Sequence, residues 1–178
     1  ASSLLVAATV AKKSDVSGDG KGDIVWRNIT DGRNFVWVMN GSAHPESQLP
    51  TVGTGFEAVA VADFNADGRM DILWRNATDG RNYVWLMNAG GTSRTETQLP
   101  SVPAGFQVAG TGDFNADVKA DILWRHGTDG RNFVWIMNGA SRTETQLPTV
   151  ANAFSVAAIG KFDSGGTSDM LWRNGADG

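Results

Sequence analysis

The sequence predicts an all-β chain built from repeated four-stranded sheets, on three observations. An acidic loop leading straight into a tryptophan strand occurs four times, from Asp15, Asp63, Asp113 and, in altered form, Lys161. The tryptophans of those strands, Trp26, Trp74, Trp124 and Trp172, recur about every 50 residues, which marks a repeat architecture. Glycine is abundant, at 22 residues, and Asp-Gly pairs separate the candidate strands, as tight turns require.

The second repeat defines the elements. Its first strand is 56–62 (FEAVAVA), followed by the acidic loop. The second strand is 71–76 (DILWRN), the third 81–88 (RNYVWLMN) and the fourth the polar 92–99 (TSRTETQL). The first repeat offers 5–11, 23–28, 33–40 and 46–49, and the third offers 106–112, 121–126, 131–138 and 141–147. The fourth has only 154–160 and 169–174 before the chain reaches Asp177-Gly178. The opening Leu4-Leu5-Val6-Ala7-Ala8 reads as the first strand of the first repeat rather than as the remnant of a signal peptide. The units are thus 1–52, 53–102, 103–150 and the half unit 151–178.

The pairs Asp31-Gly32, Asp79-Gly80 and Asp129-Gly130 lie between second and third strands. Read as two-residue type I′ turns, they place Trp26 opposite Trp37, Trp74 opposite Trp85 and Trp124 opposite Trp135. Alternation then gives each sheet an aromatic face and an aliphatic face carrying Val25, Arg27, Val36 and Val38, both buried. Sheets buried on both sides stack face to face. Small residues in the first strand (Ala58, Ala60, Ala62) suit an axis, and polar fourth strands suit an outer rim. The expected fold is a β-propeller of about three and a half blades. Its ring is expected to be closed by self-association or by sequence beyond this chain, because the final unit lacks its outer hairpin.

The acidic loops carry the chemistry. Oxygens at loop positions 1, 3, 5, 7 and 9 can wrap a hard cation such as Ca2+. The first loop offers Asp15, Ser17, Asp19, the Lys21 carbonyl and Asp23. The second offers Asp63, Asn65, Asp67, the Arg69 carbonyl and Asp71, and the third Asp113, Asn115, Asp117, the Lys119 carbonyl and Asp121. Gly20 and Gly68 stand where the turn is sharpest, but the third loop has Val118 there, so a weaker site is expected. In the fourth loop Lys161 replaces the first carboxylate and Gly165 the third, and no calcium is expected. The competing reading of each loop is a solvated Asp/Asn/Gly turn.

These loops, DVSGDGKGD and DFNADGRMD, each followed by a hydrophobic strand, resemble the FG-GAP/VCBS repeats. Such repeats form the calcium-loop blades of integrin α-subunit propellers and of integrin-like lectins from fungi and bacteria. The resemblance covers essentially the whole chain. It implies a structural Ca2+ role and sugar sites in crevices between blades, in a family that also includes adhesins and accessory modules of secreted enzymes.

A second constellation sits beside the Asp-Gly turns, at the blade end away from the acidic loops. It comprises Arg27, Asn28, Arg33, Asn34 and Trp37; Arg75, Asn76, Arg81, Asn82 and Trp85; and Arg125, His126, Arg131, Asn132 and Trp135. Arg and Asn donors beside an aromatic edge suit a hydroxyl-rich ligand such as a glycan. The same residues can equally be turn caps and aliphatic cover, with the tryptophans as core.

Composition narrows the function. The net charge of -4 and the lack of any Lys/Arg run argue against nucleic acid. The absence of cysteine removes disulfides and thiolate metal sites, and no apolar run reaches membrane-helix length. No catalytic motif is present, and only His44 and His126 are available as imidazoles, so no enzyme is expected. The expected function is a secreted, calcium-stabilised carbohydrate-binding propeller that self-associates. The alternative is a structural or protein-interaction module, or an accessory part of a larger secreted protein.

Overall fold

The computed structural model describes residues 2–4 and 14–176, with side chains from residue 14 onward. It is all-β, with no helix among the described residues and hence none able to cross a membrane. The strands are β1 (Ser2–Leu4), β2 (Ile24–Asn28), β3 (Asn34–Trp37), β4 (Glu46–Leu49), β5 (Glu57–Ala62), β6 (Asp71–Arg75) and β7 (Asn82–Met87). They continue with β8 (Arg94–Leu99), β9 (Phe106–Gly112), β10 (Asp121–His126), β11 (Asn132–Asn138), β12 (Ser141–Leu147), β13 (Phe154–Gly160) and β14 (Asp169–Asn174). Each repeat is an antiparallel meander in chain order: β1-β2-β3-β4, β5-β6-β7-β8, β9-β10-β11-β12 and the pair β13-β14. The strand expected at 5–11 lies outside the described residues; β1 pairs with β2 through Ser2↔Asn28 and Leu4↔Trp26.

The central hairpins differ from expectation by two residues. Trp26 lies opposite Phe35 and Ile24 opposite Trp37, with Trp74↔Tyr83 and Trp124↔Phe133 in the other sheets. The turn is a four-residue loop closed by Asn28 N–H to Arg33 O and Gly32 N–H to Asn28 O. Only the glycine of each Asp-Gly pair has positive φ, 77° at Gly32 and 80° at Gly80, so a type I′ turn is not formed. The reason is local side-chain chemistry. Asn28 Oδ1 accepts Thr30 N–H and Asp31 Oδ1 accepts Arg33 N–H, holding an Asx-type turn that needs two more residues. A slip of two leaves every side chain on its expected face. The tryptophans therefore still meet, diagonally rather than directly. Ring centroids are 4.6 Å apart for Trp26–Trp37, 4.9 Å for Trp74–Trp85 and 5.0 Å for Trp124–Trp135.

A second departure lies in the first strands. Pairings β5–β6, β9–β10 and β13–β14 each shift register once, between Ala58/Ala60, Leu123/Trp124 and Val156/Ala158. Such a β-bulge inserts one residue and reverses which face the rest of the strand presents. Ala58 thus sits opposite Trp74, whereas Ala60 sits opposite Leu73.

The described fold divides into two units, residues 1–63 with 67–101 and residues 64–66 with 102–178. In the first, Val25, Val36 and Leu49 pack into one buried cluster with Ile72, Trp74, Trp85 and Met87. The aliphatic face of one sheet thereby meets the aromatic face of the next, and each such side chain contributes about 1.5–3 kcal/mol by leaving water. In the second unit, the sheets β9–β12 and β13–β14 converge at their first strands. A Cβ at Gly110 would lie 2.6 Å from Ile159 Cδ1, and one at Gly112 2.7 Å from Ile159 Cγ2, so a side chain at either position would have to displace Ile159.

Candidate metal loops and inter-sheet crevice

Three acidic loops share one backbone course. Positive φ falls at the fourth and sixth loop positions: Gly18 and Gly20, Ala66 and Gly68, Ala116 and Val118. The first carboxylate organises the turn from inside. Asp15 Oδ1 accepts Gly18 N–H at 2.6 Å and Asp15 Oδ2 accepts Gly20 N–H at 2.7 Å. Asp63 accepts from Asp67 and Gly68, and Asp113 from Asp117 and Val118, in the same way. In the fourth loop no residue is recorded at positive φ among the described residues, and the turn relies on Asp163 Oδ1 accepting Gly165 N–H.

The fifth-position carboxylates face cations two residues on. Asp19 pairs with Lys21 Nζ at 3.1 Å, Asp67 with the Arg69 guanidinium and Asp117 with Lys119 Nζ at 3.2 Å. Amide and side-chain hydrogen bonds from Lys21 hold Asp19 below the usual carboxylate range. At Asp117 burial works against ionisation, but hydrogen bonds from Lys119 and Asn115 outweigh it and the net shift is downward.

The ninth-position carboxylates are buried and tie the loop to the third strand or, in the first repeat, to Met39 just beyond it. Asp23 Oδ2 accepts Ser17 N–H at 2.9 Å and Oδ1 accepts Met39 N–H at 3.0 Å. Asp121 accepts Phe114 N–H and Met137 N–H, both at 2.8 Å, and Asp71 accepts Met87 N–H at 2.8 Å. Burial pushes the Asp121 carboxyl up; the two amides oppose this, and the charges of Asp117 and Asp113 add to it. The like charges of Asp117 and Asp113 thus act against ionisation of Asp121. The donors are all oxygen, which suits a hard cation and not a transition metal. Among the described residues, however, no group of three or more His, Cys, Asp or Glu side chains is gathered as a finished metal cage.

The turn-side residues are placed mostly in the interior. Arg27 is buried, and its guanidinium donates to Gly32 O, Asn34 Oδ1, Val52 O, Gly53 O and Phe56 O at 2.9–3.2 Å. Burial lowers its pKa, and its charge lies 5.0 Å from the centre of the Trp74 ring. Arg125 repeats the arrangement with Gly130, Asn132, Val150, Ala151 and Phe154, over Trp172. Arg75 is buried and donates to Gly80 O and Asn82 Oδ1. Asn34, Asn82 and Asn132 are buried and donate to Pro50 O, Pro100 O and Pro148 O. Asn28 and Asn76 cap their turns, and His126 takes that place in the third, with Nδ1 2.9 Å from Asp129 Oδ1. Arg33, Arg81 and Arg131 are exposed and pair with Asp31, Asp79 and Asp129.

Trp37, Trp85 and Trp135 each donate Nε1 to a fourth-strand glutamate: Glu46, Glu96 and Glu144. In the first unit Trp85 and Glu96 help to line a crevice of about 180 Å³ with Phe56, Trp74, Tyr83 and Thr51. Phe56 and Tyr83 meet edge to face at 5.5 Å, Arg81 lies over Phe56, and the buried Trp74 Nε1 has no protein acceptor. Sequence reasoning named Trp85 but missed Phe56, Tyr83, Thr51 and Glu96. The available signal was the glutamate that recurs directly across from each third-strand tryptophan.

No curated protein matches the chain. The family model of the FG-GAP-like repeat matches residues 15–74, from the first carboxylate of the first loop to the tryptophan of the second repeat. This chain therefore carries an FG-GAP-like repeat at residues 15–74.

Proposed function

We propose that the chain is part of a calcium-stabilised β-propeller that binds carbohydrate outside the cell, without enzymatic activity. The carrying observation is the crevice of the first unit, where the half-buried rings of Phe56 and Tyr83, backed by the buried Trp85, stand beside the Glu96 carboxylate and the Thr51 hydroxyl. An apolar wall with a few polar groups at its margin is what a sugar ring needs, one face stacking while the rim hydroxyls are hydrogen-bonded. The sequestration of Arg27, Asn34 and their counterparts leaves the crevice, rather than the turns, as the ligand surface. In this reading Asp15, Ser17, Asp19, Asp23 and their equivalents in the second and third loops would hold Ca2+. The ion would supply positive charge to carboxylates that otherwise repel. The blades, about three and a half in this chain, would complete a ring by self-association or with further sequence.

A glycan array run with and without calcium tests the ligand. Binding that is lost in Tyr83→Ala and Glu96→Gln supports the crevice, and a wild-type array with no hits in calcium buffer overturns the lectin reading. Capture of a protein partner that sugars do not displace favours the interaction-module reading instead. That second reading is supported by the partly exposed apolar surface of β13–β14, where Leu171 is 52% exposed.

A further inference from the structure

We infer that Asn40-Gly41 is a site of spontaneous covalent modification, where the Asn40 side chain cyclises onto the Gly41 nitrogen and reopens as aspartate or isoaspartate. The chain has three Asn-Gly pairs, Asn40-Gly41, Asn138-Gly139 and Asn174-Gly175. Each sets an asparagine beside a backbone nitrogen that no Cβ shields. The fold separates the three. Asn138 is exposed, but Gly139 is buried and donates its amide to Phe64 O at 2.8 Å. Gly175 donates to Ala153 O at 2.8 Å, and Asn174 Oδ1 accepts Ala176 N–H at 3.0 Å, so both reacting groups are engaged. Asn40 and Gly41 are both exposed. Among the described residues neither the Asn40 side chain nor the Gly41 amide makes a hydrogen bond. A Cβ at Gly41 would meet nothing within 4 Å, so the space beside the attacking nitrogen is open.

The reaction needs only base and water. The Gly41 nitrogen gives its proton to hydroxide and attacks the side-chain carbonyl carbon of Asn40. A new C–N bond closes a five-membered succinimide, the side-chain amide bond breaks, and its nitrogen takes up a proton and leaves as ammonia. Water then adds to either ring carbonyl, giving aspartate or isoaspartate with no oxidation or reduction. The turn makes the product consequential. Asn40 N–H donates to Ala43 O at 2.8 Å and Ala43 N–H to Asn40 O at 3.2 Å. Isoaspartate inserts a methylene into the main chain between the N–H and the C=O of position 40, so the two bonds cannot both persist. The same turn leads into His44, whose ring centre lies 4.4 Å from that of Trp37, and into Glu46, which accepts Trp37 Nε1 at 2.7 Å. Conversion at position 40 therefore adds a negative charge and is felt at Trp37.

The test ages the intact chain at mildly alkaline pH and follows each Asn-Gly pair by peptide mass mapping. Mass distinguishes this reaction from isomerisation at the Asp-Gly pairs, which leaves mass unchanged. In the folded chain Asn40 is expected to convert about tenfold faster than Asn138 or Asn174, the factor that one hydrogen bond on a reacting group supplies. In urea the three rates are expected to converge, because that bond is gone. Tryptophan emission of the aged wild type is expected to drift, and that of Asn40→Gln, which keeps the backbone bonds of the turn, to stay constant. Equal rates at the three pairs in the folded chain overturn the assignment. So does a lead for Asn40 that survives in urea, which would make it a property of the neighbouring sequence and not of the fold. Drift that persists in Asn40→Gln overturns the link to Trp37.

Discussion

Val118 is where a single side chain opposes its backbone. It holds a φ of 65° and is 72% exposed, so the left-handed conformation is imposed by the loop and not by packing of the side chain. Left-handed geometry costs a β-branched residue about 1–2 kcal/mol, partly offset in a glycine variant by chain entropy. Val118→Gly is expected to raise unfolding stability by about 1 kcal/mol, read by urea denaturation. Arg27 is the opposite case, a buried charge with five acceptors arranged around it. Arg27→Lys keeps the charge but cannot reach all five, and leaving buried acceptors unpaired costs about 1–3 kcal/mol; the same denaturation measurement should show that loss. The turn carboxylates bring a pH dependence. Hydrogen bonds from the Arg81 side chain and amide hold Asp79 below the usual carboxylate range. A depressed folded pKa contributes stability that is complete above the ordinary carboxylate value and disappears as pH falls through the folded one. The stability difference between wild type and Asp79→Asn should therefore hold from neutral pH down to the ordinary carboxylate value of about 4, then shrink as pH falls further and the folded carboxyl takes up its proton.

At the scale of elements, much was legible because the repeat was read four times over. Strand identity, the aromatic and aliphatic faces and the loop positions all follow from alternation and turn residues. Register did not, because Asp-Gly suggests a two-residue turn while the preceding Asn28 and Asp31 side chains select a longer one. Face assignment survived, since the difference is an even number of residues. The bulges at Ala58/Ala60 and its equivalents had no compositional mark, as a run of small residues reads alike in either frame. The candidate ligand residues were the least legible. Arg27 and Asn34 look like surface donors until the pairing places the carbonyls of the following connection around them. The ninth-position aspartates also have a role the loop pattern does not express, bridging the loop to the third strand. Asp71→Ala is expected to destabilise by about 1–3 kcal/mol even with calcium absent, whereas Asp71→Asn, which keeps an acceptor for Met87 N–H, should cost less; thermal unfolding in chelator separates the two.

For the whole molecule, the proposed calcium role has a thermodynamic signature. An ion that binds only the folded chain stabilises it by about 2.7 kcal/mol per site at a hundred times its dissociation constant. Chelator should therefore lower the melting temperature, and added calcium should restore it in a concentration-dependent way. An unchanged melting temperature in EDTA would speak directly against metal in the loops.

The clamp made by Arg27 bears on how such a chain can be divided. Arg27 belongs to the first repeat, yet beyond Val52, that repeat's last residue, it bonds to Gly53 and Phe56 at the start of the second. Arg125 bonds in the same manner to Val150, at the end of its own repeat, and across the boundary to Ala151 and Phe154. The stretch that duplicates and the stretch that holds together are thus out of phase. A gene cut at the visible repeat boundary delivers fragments with a stranded guanidinium on one piece and bare carbonyls on the other. A cut within an acidic loop leaves each clamp whole, so circular permutants opened there should retain more of the parent's stability than permutants opened at the boundary.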